Sequence, residues 1–140
     1  MKKKFFYLLV VLILTPVFLY AKSDFFLDGV SFFKNNKLED AKFKFEQDIV
    51  FNPKSELSYL YLSKIFNKQD KKDLEEQNLK TVMVINPKNE EAIYNLAKLK
   101  LSESDYKKSK ELNERLSSIC NNYCDQSNKL KIEIENLSKK

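Results

Sequence analysis

Apolar residues recur three and four positions apart through most of this chain, which is the spacing of a helix that buries one face. Polar residues interrupt the pattern at regular points, while glycine occurs once and proline three times in 140 residues. The pattern predicts an all-α protein. We expect helix pairs at 24–35 with 37–51, 55–68 with 70–85, and 89–102 with 104–119, followed by a last helix near 125–138.

The predicted breaks contain residues that end or begin helices. The pair Asn35-Asn36 can adopt a left-handed backbone conformation, and the prolines after Asn52 and Asn86 disfavour helical conformation at those asparagines. The next helices each have a candidate N-terminal cap, whose side-chain oxygen would accept a backbone N–H. These candidates are Ser55, Asp70, Asn89, Ser104 and Asp125.

The last segment has two readings. Leu130, Ile132 and Ile134 alternate with polar residues as in a strand, whereas Leu130, Ile134 and Leu137 form a helical stripe. Because an isolated strand would have no evident partner, we expect a helix there.

Two identical tripeptides, Asn52-Pro53-Lys54 and Asn86-Pro87-Lys88, stand 34 residues apart, each at the end of a predicted helix pair. That interval is the period of a helical-hairpin repeat. Such repeats stack because one hairpin cannot bury its own apolar face, and the stack offers an extended curved surface to a partner. A plain helical bundle is the alternative, and the regular proline spacing argues against it.

Laid over one another, the blocks resemble the tetratricopeptide repeat (TPR), with its conserved pattern of aromatic, small and proline positions. Gly29 falls where the family has a small residue that lets two helix backbones approach. The resemblance implies that a set of matching residues packs the repeats: Phe25, Gly29, Phe32, Ala41, Phe45 and Pro53, then Tyr59, Leu62, Phe66, Leu79 and Pro87, then Leu96 and Ala97. Glu75 departs from the pattern opposite Ser63, and Lys100 and Asn113 depart from it in the third block.

The resemblance implies a short right-handed α-solenoid of about three TPR-like hairpins. We expect a signal peptide or uncleaved anchor at 1–23, repeats at 24–55, 56–89 and 90–123, and a capping helix at 124–140.

In TPR proteins the inner face of each first helix usually contacts the partner. By the register above, this predicted groove consists of Phe26, Val30, Phe33 and Lys34, then Leu60, Lys64, Asn67 and Lys68, then Tyr94, Lys98 and Leu101. An apolar strip beside lysines suits an acidic peptide or amphipathic helix. The alternative is that the aromatic residues only pack the fold. Lys34, Lys64, Asn67 and Lys98 are similar in chemistry to the clamp with which one TPR subclass holds a C-terminal carboxylate, but its motif does not match residue by residue.

The N-terminus has the features of an export signal. Lys2, Lys3 and Lys4 precede an apolar run from Phe5 to Tyr20, and small residues follow at 21 and 23. We expect cleavage after 23 or after 21 and a periplasmic location. The alternative is an anchor in the inner membrane formed by residues 5–21, whose 17 residues are at the lower limit for a span.

Removal of residues 1–23 changes the charge balance. The formal net charge is +5, but four of the 25 basic residues and none of the 20 acidic ones lie in that segment, which leaves +1. Overall basicity therefore gives no argument for nucleic-acid binding.

Cys120 and Cys124 are close enough in sequence to form a small disulfide ring or to remain two buried thiols. Zinc binding is disfavoured because the chain has no histidine and no third cysteine. The sequence also lacks a glycine-rich phosphate loop and a nucleophile elbow. We therefore predict no catalytic residue, metal or cofactor. The predicted function is an exported adaptor for a protein or peptide in the cell envelope of a diderm bacterium, and the alternative is a self-associating structural module, a homo-oligomer without a peptide groove.

Overall fold

The computed structural model describes residues 24–139, which form seven α-helices and no β-strand. The helices are α1 (Phe25–Lys34), α2 (Leu38–Phe51), α3 (Glu56–Lys68), α4 (Lys72–Ile85), α5 (Glu90–Ser102), α6 (Tyr106–Ile119) and α7 (Cys124–Leu137). Each begins and ends within two residues of its predicted bounds. The all-α prediction is confirmed, and the strand-like alternation near the C-terminus lies in a helix. The predicted export segment lies outside the described residues.

Three helical hairpins, α1–α2, α3–α4 and α5–α6, follow one another, and α7 packs on the last of them. Each element contacts its neighbours along the chain, as expected of a solenoid. Within residues 24–139, no helix combines the length and apolarity that crossing a bilayer would require.

The turn inside each hairpin has the same backbone conformation. Asn36, Asp70 and Ser104, spaced 34 residues apart, have positive φ angles of 57°, 54° and 61°. The following residue donates its N–H to a carbonyl five positions back, over 2.9 Å in each turn: Lys37 to Phe32, Lys71 to Phe66 and Asp105 to Lys100. This bond belongs to the Schellman arrangement that ends a helix. The repeat is therefore visible in the backbone as well as in the sequence.

The predicted helix caps are correct in part. Asn89 caps α5, since its side chain accepts the N–H of Ala92 over 2.7 Å. The cap predictions for Asp70 and Ser104 were wrong. Both residues adopt the left-handed conformation of the turn, and the next helix begins two residues after each. Asp105 caps α6 instead, and accepts the backbone N–H three residues on.

Two further cap predictions are corrected. Ser55 stands before α3, but its hydroxyl donates to Ser58 Oγ over 3.0 Å and accepts no backbone N–H as a cap. Asp125 lies inside the first turn of α7, which begins one residue earlier.

Small side chains let the two helices of a hairpin approach. Gly29 faces the second helix of the first hairpin, where a Cβ atom would lie 2.7 Å from the ring of Phe45. In the third hairpin Ala97 and Ser109 are buried, and Ser109 Oγ donates to the Ala97 carbonyl over 2.8 Å. A small residue is therefore what the fold requires at these positions.

Two buried clusters form the core. One joins α1, α2 and α3 around Phe45 and Ile65, and the other extends from α3 to α7 around Leu79 and Leu116. The residues predicted to pack the repeats are buried or half-buried apart from Pro53 and Pro87. The two prolines are exposed because they lie in the turns between hairpins.

The two residues of the third hairpin that depart from the TPR pattern, Lys100 and Asn113, both contact other helices. Lys100 Nζ lies 2.8 Å from the carboxylates of both Glu76 and Glu103, and so links α5 to α4. Asn113 is 5% exposed and donates to the carbonyl of Ser127, whose hydroxyl in turn donates to Asn113 Oδ1, both over 3.0 Å. This buried polar pair connects α7 to α6.

Candidate functional site

A cavity of about 730 Å³, here called the groove cavity, opens between the hairpins. It is lined by residues of α1, α3 and α5, which are the first helices of the three hairpins, and by the start of α4. The structure brings five of the predicted groove residues to its wall: Phe33, Lys64, Asn67, Lys68 and Lys98. The cavity thus lies on the helices whose exposed face was predicted to meet a partner.

One wall of the groove cavity is aromatic. Phe33 is half-buried, and its ring centroid lies 5.2 Å from that of Tyr61 in an edge-on arrangement. The ammonium group of Lys68 lies 5.8 Å from the centre of the Phe33 ring. Aromatic rings attract cations at this range, so the lysine covers part of the ring while keeping its charge in solvent.

Several predicted groove residues lie elsewhere. Leu60 and Leu101 are 3% and 6% exposed and belong to the core, so their assignment to a partner surface is corrected. Phe26 and Val30 pack against the first core cluster, and Lys34 is exposed at the end of α1. The cause is helix packing: positions that face the neighbouring hairpin are covered by it.

Tyr94 also lies away from the groove cavity, near the α6–α7 loop. Its ring centroid is 5.5 Å from that of Tyr123. Cys120 and Cys124 form a disulfide on either side of this loop, with an S–S distance of 2.10 Å. The aromatic pair therefore connects α5 with the disulfide loop.

The rim of the groove cavity carries lysines and carboxylates. Lys64 Nζ lies 2.7 Å from Glu91, which ties α3 to α5. Lys72 and Lys98 are exposed and take part in none of the ion pairs found among residues 24–139. These two lysines are free to meet acidic groups of a partner.

Glu75 at the start of α4 is the least expected residue of the site. Only 5% of it is exposed, and both carboxylate oxygens accept from Asn67 Nδ2 over 3.1 Å. Burial raises the pKa of the Glu75 carboxyl, and the nearby carboxylates of Glu103 and Asp70 raise it further, against the opposing effects of Asn67 and Lys72. The groove cavity thus has a buried acid and a basic rim.

Sequence reasoning missed the part of the groove cavity that comes from α4 and from the inner side of α5. The sequence did mark Glu75 as unusual, because it replaces the small residue of the repeat pattern. We interpreted that departure as a local change in helix packing and not as a binding site. Asn95 and Leu99 also line the cavity, each one residue from a predicted groove position.

Solved structures similar to this chain include TPR domains. The first TPR of Spaghetti (RPAP3) bound to the HSP90 peptide SRMEEVD aligns with a TM-score of 0.74 at 15% identity, over 83% of this chain and 91% of that one. The TPR2B domain of yeast Sti1, in its Hsp70 complex, aligns with a TM-score of 0.74 at 13% identity, over 81% and 95%.

A bacterial structure aligns equally well. The Yersinia enterocolitica type III secretion chaperone SycD, in complex with a peptide of the translocator YopD, has a TM-score of 0.74 at 16% identity, over 84% of this chain and 93% of that one. At such identities the similarity shows the fold, which is TPR-like: helical hairpin repeats followed by a C-terminal helix. No protein-family model and no curated protein sequence matches the chain.

Proposed function

We propose that this protein is a peptide-binding TPR-like adaptor that holds a segment of a partner protein in the groove cavity. The observation that supports it most is the cavity itself, about 730 Å³ and lined by the first helices of successive hairpins. A half-buried aromatic ring, Phe33, supplies an apolar anchor, and the exposed Lys72 and Lys98 supply charge that steers acidic segments. Two of the similar structures, those of Spaghetti and SycD, contain bound peptides, which agrees with this use of the fold.

The groove is tested by replacing its wall. The double variant Phe33→Ala/Lys98→Glu removes the apolar anchor and reverses one rim charge. Used as bait in lysate of the source cells, it should lose partners that the wild-type chain retains. Lys88→Glu is the matched control, since it makes the same charge change on an exposed turn outside the cavity. Partners retained by a folded Phe33→Ala/Lys98→Glu variant would discard the groove.

We further propose that the adaptor works in the bacterial cell envelope, most simply the periplasm. The support is the lysine-flanked apolar run before residue 24, which has the composition of an export signal. The experiment is fractionation of cells that express the full sequence, followed by identification of the N-terminal residue of the protein. A chain that starts near Asp24 in the periplasm is expected, a membrane-bound chain with Met1 would indicate the anchor, and a cytoplasmic chain would overturn the location.

One observation favours a second candidate function, a self-associating structural module. Phe43, Val50 and Phe51 on α2 are 59%, 74% and 75% exposed, and apolar surface of this kind can join two copies. Sedimentation at rising concentration distinguishes the candidates. A species that stays monomeric would exclude this alternative, and a dimer that Val50→Lys dissociates would support it.

A further inference from the structure

Glu75 is a buried carboxylate with no cation at ion-pair distance among the described residues, although the charge of Lys72 acts on it from farther away. Its two oxygens share one neutral amide, Asn67 Nδ2, and Glu75 takes part in none of the ion pairs of the described chain. Removal of a carboxylate from water is costly unless a cation or several hydrogen bonds compensate it. A carboxylate offers about four acceptor positions, and the side-chain donor that the described residues place on Glu75 is a single amide nitrogen.

The fold does not require an acid at this position. The equivalent residues of the other hairpins, Ala41 and Ser109, are small and buried, and they satisfy the packing of the two helices. A glutamate there is longer than the packing needs, and Glu75 is one of the residues that line the groove cavity. Where the other hairpins have a small packing residue, this hairpin therefore has an ionisable side chain at the groove cavity.

The charges around Glu75 are of both signs. Asp70 and Lys72 act on its carboxylate with opposite effects, and the third charge that acts on it, Glu103, is already paired with Lys100. The cavity wall also carries Lys64, which is paired with Glu91, and the lysines at 68 and 98. The cavity thus combines one buried acid, Glu75, with several exposed or half-buried lysines, so a ligand of uniform charge would match only part of it.

We propose that the groove cavity accepts a lysine or arginine side chain of the partner, which pairs with Glu75 while acidic residues beside it face the lysine rim. This inference rests on the proposed peptide-binding function and specifies its ligand. Arginine fits best, because its planar guanidinium can donate two parallel hydrogen bonds to a carboxylate. The partner's cation supplies the direct ion pair that Lys72 does not make with Glu75.

The test uses selection from a library of random linear peptides on the protein expressed from its full sequence and kept in mild detergent. Wild-type protein should enrich peptides with arginine or lysine at one position flanked by aspartate or glutamate. Glu75→Gln, which keeps the shape of the side chain and its hydrogen bond with Asn67, should lose the preference for the basic residue. Lys88→Gln serves as the control and should select the same peptides as the wild type.

The outcomes separate the two proposals. Selected peptides that lose binding to Phe33→Ala/Lys98→Glu, yet show no basic position, would overturn the role of Glu75 and leave the groove function standing. If Glu75→Gln selects the same basic peptides, the role of Glu75 is overturned as well. A library that yields no peptide sensitive to the groove variant would reject the groove function and the inference with it.

Affinity measurements on one selected peptide give a quantitative check. Replacement of its arginine by neutral citrulline should weaken binding to wild-type protein by about tenfold to a hundredfold, as expected for loss of a charged hydrogen-bonded pair. The same replacement should change binding to Glu75→Gln little. Acidification should weaken arginine-peptide binding to the wild type more than to the variant, because a protonated Glu75 loses its charge. Equal losses with both proteins would contradict the pairing.

Discussion

At the scale of single residues, Gly29 has a position that leaves no room for a side chain. Its missing side chain makes room for the ring of Phe45, which is fully buried. An added Cβ would lie 2.7 Å from that ring, closer than van der Waals contact allows, and the buried ring has little freedom to move. The glycine thus sets the distance between α1 and α2.

We predict that Gly29→Ala destabilises the protein. Overpacking of a core typically costs about 1–3 kcal/mol, and alanine recovers up to about 1 kcal/mol through its better helix propensity. We therefore expect a net loss of about 1 kcal/mol in the free energy of unfolding, measured by urea denaturation. Ser31→Ala, an exposed position on the same helix, is the control and should be neutral or slightly stabilising. A Gly29→Ala variant as stable as the wild type would show that the two helices can separate without cost.

Glu75 gives a prediction about pH. A raised pKa means that the native state keeps the Glu75 proton at pH values where the unfolded chain has released it, so the wild type loses stability as pH rises above the ordinary carboxyl value of 4.5. Glu75→Gln mimics the protonated form at every pH. We expect the variant to gain stability relative to the wild type between pH 4.5 and neutrality, and to differ least below that value. Urea denaturation across pH measures this, and a difference that stays constant would contradict it.

At the scale of helices and turns, one acidic residue repeats with the period of the fold. Glu56 and Glu90, 34 residues apart, each begin a first helix and reach the turn that follows the next helix. The carboxylate of Glu56 accepts from the side chains of Asn86 and Asn89. Glu90 accepts the backbone N–H groups of residues 121, 122 and 123 over 2.8–3.0 Å, which lowers its pKa. The second and third hairpins are thereby each connected to the element that follows through their first helix.

The docking of α7 gives a prediction at this scale. Asn113 and Ser127 satisfy each other inside the α6–α7 contact, and Asn113→Leu would leave the buried Ser127 hydroxyl without its best partner. An unsatisfied buried polar group costs about 1–3 kcal/mol. The double variant Asn113→Leu/Ser127→Ala should recover most of that loss, because leucine is the residue at the equivalent position Leu79.

A double-mutant cycle measures this coupling. The free energies of unfolding of the two single variants and the double variant should deviate from additivity by about 1 kcal/mol or more, as contacting residues do. Additive losses would mean that the asparagine and serine contribute to α7 docking independently.

At the scale of the whole molecule, the helices were predictable because their positions depend on residues close together in the sequence. The spacing of apolar residues and the Asn-Pro steps placed every helix within two residues, because hairpin turns in this fold are short and leave little room for error. Prediction was weaker for caps, where Asp70 and Ser104 took the left-handed turn position that also suits small polar residues. Both roles favour the same residue types, so sequence alone could not separate them.

The candidate site was predictable only in part. A helix face can be assigned from the repeat register, and Phe33 and Lys98, which the register assigned to a groove, line the groove cavity. Contacts between hairpins depend on helix rotation and offset, which the register does not contain. For this reason Leu60 was assigned to the groove although the next hairpin buries it, and Glu75 was overlooked as a lining residue.

A solenoid has ends, and the ends should open before the middle. In this chain α7 covers the C-terminal end of the stack. The α6–α7 loop is fixed by the Cys120–Cys124 disulfide and by three backbone N–H groups that donate to Glu90. The disulfide closes a ring of only five residues, for which the chain-entropy relation gives a stabilisation of about 2 kcal/mol at most. Because repeats interact chiefly with their neighbours, this contribution should remain local.

We therefore predict that Cys120→Ser/Cys124→Ser accelerates amide hydrogen exchange in α7 by up to roughly thirtyfold, the factor that corresponds to about 2 kcal/mol. Exchange in α1 and α2, at the opposite end, should stay unchanged, because only the neighbouring hairpin senses the loss of the ring. Wild-type protein treated with a reductant is the matched comparison, and its mass after alkylation verifies that both thiols are released. Equal acceleration in α1 and α7 would show that the stack unfolds as a single cooperative unit and that the disulfide stabilises the whole chain.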